Sequence, residues 1–211
     1  MSKRKSSIKK FQLKDERSFR TLSNCGHATK EQLLSIHGMS QKRIDNYVKD
    51  GLIKKDINFN KKTNSNIEAY RLTDYGRNFI SKNFNINHNY VPQSIEHDLA
   101  ITKKYLSLTE KEQASFKNET VLKNEFYQTI EQYRDEPYKT KNKELLYYDD
   151  LWERYHNGSF SCVDCCYTSE SGQVITYEVE TDSYREQHIV AKIEFCTFMK
   201  MEYNSINIDE K

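Results

Sequence analysis

Four charged residues in the last third of the chain have the types and spacing for metal-assisted chemistry. Asp164 follows Val163 in one strand-like run, and Glu178 and Glu180 stand two apart in the next. Residues two apart on a strand share a face. An Asp and a Glu from adjacent strands offer the hard oxygen ligands that Mg²⁺ takes, so Asp164 and Glu178 are the candidate metal pair. A neighbouring Lys could orient a water toward a phosphodiester while the metal lowers that water's pKa, and Lys192 is the candidate. Cys162, Cys165 and Cys166, with Cys196, His156 and His188, are zinc-ligand types at no recognised spacing. Strand alternation also turns Cys165 away from Cys162 and Cys166, so buried thiols are expected there.

A second set of residues could recognise rather than react. In Gln41-Lys42-Arg43-Ile44-Asp45-Asn46-Tyr47-Val48-Lys49, the apolar Ile44, Tyr47 and Val48 recur at helical spacing and are expected to face inward. Lys42, Asn46 and Lys49 then lie on the opposite face, with Gln41 and Arg43 at its edges. Asn and Gln can read adenine edges and Arg or Lys can read guanine, so this face suits the major groove of duplex DNA. Lys54, Lys55, Lys61 and Lys62 fall on a following hairpin, where they can reach phosphates. The plainer reading is a solvated face on a protein-binding domain whose helix-turn-helix is only scaffold.

The elements that must position these residues can be read from the local signals. Leu13–Leu22 predicts a first helix with Phe19 and Leu22 inward. Thr29 and Gln32 form a capping box for a helix carrying Leu33, Leu34 and Ile36. His37-Gly38-Met39 is a short turn between crossed helices. Ser40 opens the helix Gln41–Lys49, and Gly51 stands at its C′ position. A strand Leu52–Phe59, a tip over 60–66 and a strand Ile67–Leu72 follow. Thr73 then caps a helix with Phe79, Ile80 and Phe84. That order is a winged helix-turn-helix over 13–86, and Tyr70-Arg71-Leu72-Thr73 with Gly76 resembles the second wing strand of many bacterial winged-helix regulators.

Residues 1–12, rich in Lys and Ser, predict a flexible basic arm, and the polar stretch 87–93 ending near Pro92 predicts a linker. Ser94 caps a helix with Ile95, Leu99, Thr102 and Leu106 on one stripe. His97 and Asp98 are adjacent on that helix and form no catalytic dyad by themselves. A small α/β domain is expected over 94–204, with strands Ser159–Thr168 and Val174–Glu180 and a helix from Tyr184 to Met199, and a tail over 205–211. The whole is an α+β chain.

The net charge of +2 conceals an asymmetry. Met1–Pro92 holds 19 Lys and Arg against 8 Asp and Glu, a net of +11; the remainder holds 14 against 23, a net of −9. A basic half joined to an acidic half suggests a polyanion-binding module attached to something else. The acidic half could serve a protein partner or a homodimer. No run of about 18 apolar residues exists, so no membrane span is expected. An odd number of cysteines and the lack of a secretory leader point to reduced thiols in a cytoplasm.

The Asp164 and Glu178-Val179-Glu180 spacing is similar to the Pro-Asp…(Asp/Glu)-x-Lys signature of restriction-endonuclease-like nucleases, with Glu180 in the lysine position. The winged segment, then Ile95-Glu96-His97-Asp98-Leu99-Ala100, Val163-Asp164 and YEVETDSYREQHIVAKIEF together resemble the replication-relaxation proteins of bacterial plasmids and mobile elements. The resemblance implies a DNA-binding winged domain joined to a nuclease-like fold that departs from an active signature. It carries Asp164, Glu178, Glu180 and Lys192 over as degenerate positions, with no cofactor unless an Mg²⁺-dependent endonuclease survives. The expectation is a sequence-specific double-stranded DNA-binding protein acting in transcription control, replication or transfer. The rivals are a metal-dependent endonuclease and a protein-interaction module.

Overall fold

Aromatic side chains brought in from distant elements make the core of the first unit. Phe19 from the helix α1 (Leu13–Cys25) packs 4.9 Å from Tyr47 and 5.5 Å from Phe84, ring centroid to centroid. Phe11 joins the cluster against Phe79 and Phe84. The computed structural model describes residues 6–60, 64–87, 90–135, 143–181 and 185–208, the side chains of 135 and 143–146 excepted. The chain is mixed α+β and divides into two units, Met1–Leu108 and Thr109–Lys211.

In the first unit α1 is followed by α2 (Lys30–Ser35), α3 (Gln41–Lys49), an antiparallel hairpin of β1 (Ile53–Asn60) and β2 (Ser65–Leu72), and α4 (Asp74–Phe84). This is the element order of a winged helix. The Thr29–Gln32 capping box forms, Gly51 takes φ +74° after α3, and Thr73 Oγ1 accepts from the Gly76 N–H. Gly76 has no substitute, since a Cβ there would sit 1.9 Å from the Leu52 carbonyl oxygen.

A seventh element belongs to this unit. The helix α5 (Ile95–Ser107) lies within Met1–Leu108, so the division falls after Leu108 and not in the polar stretch 87–93. Long-range polar contacts explain this. Gln32 Nε2 donates to the Leu99 carbonyl at 3.1 Å, the Tyr90 N–H donates to Ser23 O at 2.8 Å, and Thr102 Oγ1 donates to His27 O. The buried side of α5 is Ile95, His97, Asp98, Ile101, Thr102 and Tyr105, with Leu99 and Leu106 only half-buried.

The arm expected over 1–12 is held from Ser6 onward: the Ser7 and Ile8 N–H groups donate to the Asp50 carboxylate, and Ile8 is buried in the core. Lys3, Arg4 and Lys5 lie outside the described residues.

The second unit contains α6 (Glu110–Ala114), β3 (Lys117–Asn118), α7 (Glu119–Asp135), α8 (Lys143–His156), β4 (Cys165–Thr168), β5 (Val174–Glu180), α9 (Glu186–Phe198) and β6 (Ser205–Asn207). Its sheet runs β3-β4-β5-β6, antiparallel except for the parallel pair β5–β6. Leu122, Phe126 and Ile130, four apart on α7, fill its core with Phe160 and Phe195. The expected strand Ser159–Thr168 is regular only from Cys165, and the segment expected as a tail supplies β6. On α9, Phe195 and Cys196 are buried, while Ile193 is 44% exposed. Among the described residues no helix is long and apolar enough to cross a membrane.

Candidate nucleic-acid interface

The bounds of α3 are those its caps predict, and the structure decides which side chains its free face carries. Ile44 and Tyr47 are fully buried; Lys42, Asp45 and Lys49 are exposed and Asn46 is half-buried. Val48, expected inward, is 40% exposed, because the core beneath α3 is already filled by Tyr47 and Phe19. Lys42, Asn46 and Lys49 thus lie together as expected, and Asp45, which sequence reasoning passed over, sits among them. Gln41 Nε2 donates to Asp45 Oδ1 at 2.7 Å. The Gln41 Oε1 atom is buried with no hydrogen-bond partner.

Arg43 is a correction. Its guanidinium donates to both oxygens of Asp15 at 2.7 Å and to the Lys10 carbonyl at 2.8 Å. Tyr47 also donates its hydroxyl to Asp15. Burial works to raise the Asp15 pKa, but Arg43, Tyr47 and the Gln12 N–H outweigh it and hold the carboxyl below its ordinary range. Arg43 is therefore a bracket between α1 and α3 and is not free to meet a base.

The wing stands on a polar network whose inner members, His27 and Asp98, are buried. His27 Nδ1 lies 2.7 Å from Asp98 Oδ2, and its Nε2 lies 3.3 Å from Asp56 Oδ2 on β1. Arg71 on β2 donates to Asp56. Gly26 makes room: a Cβ there would come within 2.3 Å of Asp98 Oδ2, and its φ is +84°. Asp98 lies 71 residues from His27, which is why no local pattern announces the pair.

One face of the hairpin carries Asp56 and Asn58, and Asn58 Nδ2 donates to Glu96 at 3.2 Å. The other carries Lys55, Ile57 and Phe59, opposite Tyr70, Glu68 and Asn66. Lys55 donates to Glu68 at 2.8 Å, which raises the Lys55 pKa. Lys54 lies 3.9 Å from Asp56 and is 48% exposed. A cleft of about 300 Å³ between α3 and this face is lined by Gln41, Asp45, Val48, Lys55, Glu68 and Tyr70, among others. Lys61 and Lys62 lie outside the described residues.

In the second unit Asp164, Glu178 and Lys192 come together, but as a closed cluster. Lys192 Nζ lies 2.6 Å from Glu178 Oε1 and donates to Cys162 O at 2.9 Å. Glu178 Oε2 accepts the Asp164 N–H, and Asp164 Oδ2 accepts the Val179 N–H, each at 2.9 Å. The three side chains are at most 5% exposed. Glu180 does not join them. It is half-buried at the end of β5, roughly 7 Å along the strand from Glu178, and accepts the Tyr203 hydroxyl at 2.8 Å.

The donor set does not fit Mg²⁺. An ammonium already holds one Glu178 oxygen, and backbone N–H groups hold the other and one Asp164 oxygen. Among the described residues no group of three His, Cys, Asp or Glu side chains is placed to hold a metal ion. All five cysteines are buried thiols outside any disulfide. Burial pushes Cys162 and Cys196 up to about 12 and Cys166 to about 11, away from the thiolate a metal needs.

No protein-family model matches the chain, and no curated protein does. Among solved structures the chain is similar to Bacillus subtilis PadR in complex with operator DNA, at 14% identity and a TM-score of 0.25, over 68% of this chain and 92% of that one.

Proposed function

We propose that this chain is a sequence-specific double-stranded DNA-binding protein of a plasmid, phage or other mobile element, acting in transcription control, replication or transfer. One observation carries the reading. The free face of α3, the second helix of a helix-turn-helix, presents Lys42, Asn46 and Lys49 together on the unit whose charge is strongly positive. That unit, Met1–Leu108, holds 21 Lys and Arg against 10 Asp and Glu. Asn46 can bond an adenine edge bidentately, and the flanking lysines can neutralise phosphates. The mobile-element context rests on the replication-relaxation resemblance of the motifs. The second unit we read as a nuclease-like domain that does not cut, its cluster serving the fold.

The test is recovery of bound duplexes from a random-sequence pool by the full chain, followed by gel shifts. Asn46→Ala should cost about 1–3 kcal/mol on the recovered sequence and relax the base preference there. Lys42→Ala and Lys49→Ala should weaken all sequences alike and flatten the salt dependence. Equal losses on recovered and random DNA for Asn46→Ala would remove the base-reading role.

A further inference from the structure

Two large apolar side chains on the wing have no core to serve. Ile57 is 60% exposed and Phe59 52% exposed, although both lie on a regular strand. Neither belongs to the core cluster, which takes Ile53, Tyr70 and Leu72 from the hairpin. A local rule broken with no gain in packing marks a functional surface more often than an accident.

The surroundings say what covers them. The opposite hairpin face is tied down by Asp56 to His27 and by Asn58 to Glu96, which leaves the Ile57–Phe59 face free. Through Lys55 and Tyr70 this face continues into the cleft whose far wall is Asp45 and Val48 of α3. It is therefore continuous with the base-reading face proposed above. On this face Asn66 is the cross-strand partner of Phe59, Asn64 lies two residues before Asn66, and Lys55 stands nearest the body. The acidic groups on this side are Asp45 and Glu68, and each is already held, by Gln41 and Lys55. Uncharged amide donors around an apolar projection, on a unit with 21 basic residues, match an A·T-type minor-groove floor with phosphates on either side. A protein partner would call for a broader apolar patch than two side chains.

We infer that the wing enters the minor groove beside the α3 site and drives Phe59, backed by Ile57, against a base step, unstacking and bending the duplex. The inference rests on the DNA-binding reading and deepens it. A two-stranded ribbon is thin enough for a minor groove that the wedge itself opens.

The experiment uses the full chain and a duplex recovered from the random pool. It carries dyes at its ends for energy transfer and 2-aminopurine at successive steps flanking the protected region. Wild-type protein should shorten the end-to-end distance and brighten 2-aminopurine at one step. Phe59→Ser, at an exposed site that leaves the melting temperature unchanged, should abolish both signals and weaken binding about tenfold. Phe59→Leu should retain them, since Leu also wedges. Tight binding by Phe59→Ser with the same bend and the same bright step overturns the wedge and leaves DNA binding standing. Sedimentation that shows a wild-type dimer and a Phe59→Ser monomer without DNA also overturns it, assigning the face to a second copy of the chain. Recovery of no duplex at all overturns both readings.

Discussion

Asp15 shows how one buried residue sets what another can do. Its carboxylate is wholly buried and takes Arg43, Tyr47 and the Gln12 N–H, so the guanidinium most suited to guanine is held in the fold. Breaking such a pair strands a buried charge and costs on the order of 3–5 kcal/mol. Asp15 is held below its ordinary pKa despite its burial. A lowered folded pKa gives stability that is full above the unfolded value, about 3.9, and is lost as pH falls through the folded value. Thermal unfolding between pH 7 and pH 2 should therefore show wild-type stability falling on the acid side of about pH 4. Asp15→Asn should melt lower at pH 7 and fall less steeply in acid. Identical acid limbs for the two proteins would remove Asp15 from the account.

At the scale of elements, Asp50 presents a small paradox that its partners resolve. A carboxylate at a helix C-terminus is unfavourable to the helix dipole, yet Asp50 is the C-cap of α3. Burial works to raise its pKa, but the Ser7 and Ile8 N–H groups and the Ser6 hydroxyl overcome that and lower it. The carboxylate thus staples the chain before α1 to the end of α3. Asp50→Ala should cost about 1–2 kcal/mol and expose Lys9 and Lys10 to trypsin, read by N-terminal sequencing of the first cleavage products. Unchanged cleavage kinetics would show that Ile8 burial alone holds the segment.

The same contrast explains what could be read beforehand. The bounds of α3, the hairpin and the caps at Thr29 and Thr73 rest on neighbours within a few residues, and these are visible in sequence. The attachment of α5 through His27 and Asp98, the Arg43–Asp15 bracket and the parallel strand β6 depend on partners 71, 28 and about 27 residues away. No periodicity records them. Val48 was misjudged because helical spacing says which residues share a side, not how wide a side the core can take. Phe59 carried a signal that went unused: an aromatic flanked by asparagines at the end of a strand that has nothing left to pack.

Charge at the scale of the whole chain frames the last question, whether the second unit cuts the DNA that the first is proposed to hold. The units carry +11 and −9, so the duplex is drawn to one and repelled by the other. The second unit nevertheless brings together Asp164, Glu178 and a lysine supplied by a helix, the residue types a nuclease uses. Two features support the proposed reading that it does not. The carboxylate oxygens bond an ammonium and backbone N–H groups, and all three side chains are shut from solvent, so no phosphate can reach them. The position that a signature lysine would take is Glu180, which is bonded to Tyr203.

A group kept for chemistry can be removed with little loss of stability, whereas a member of a buried ion cluster cannot. Lys192→Met should therefore lower stability by about 3–5 kcal/mol, because it leaves Glu178 charged and buried. Adding Glu178→Leu to it should recover much of that loss. Chemical denaturation of the single and double variants measures both. In parallel, wild-type protein incubated with supercoiled and linear DNA in Mg²⁺ and in Mn²⁺ should leave both intact. Nicking that vanishes in a folded Asp164→Asn variant, together with a Lys192→Met variant as stable as wild type, would make the cluster an active site and the chain an endonuclease.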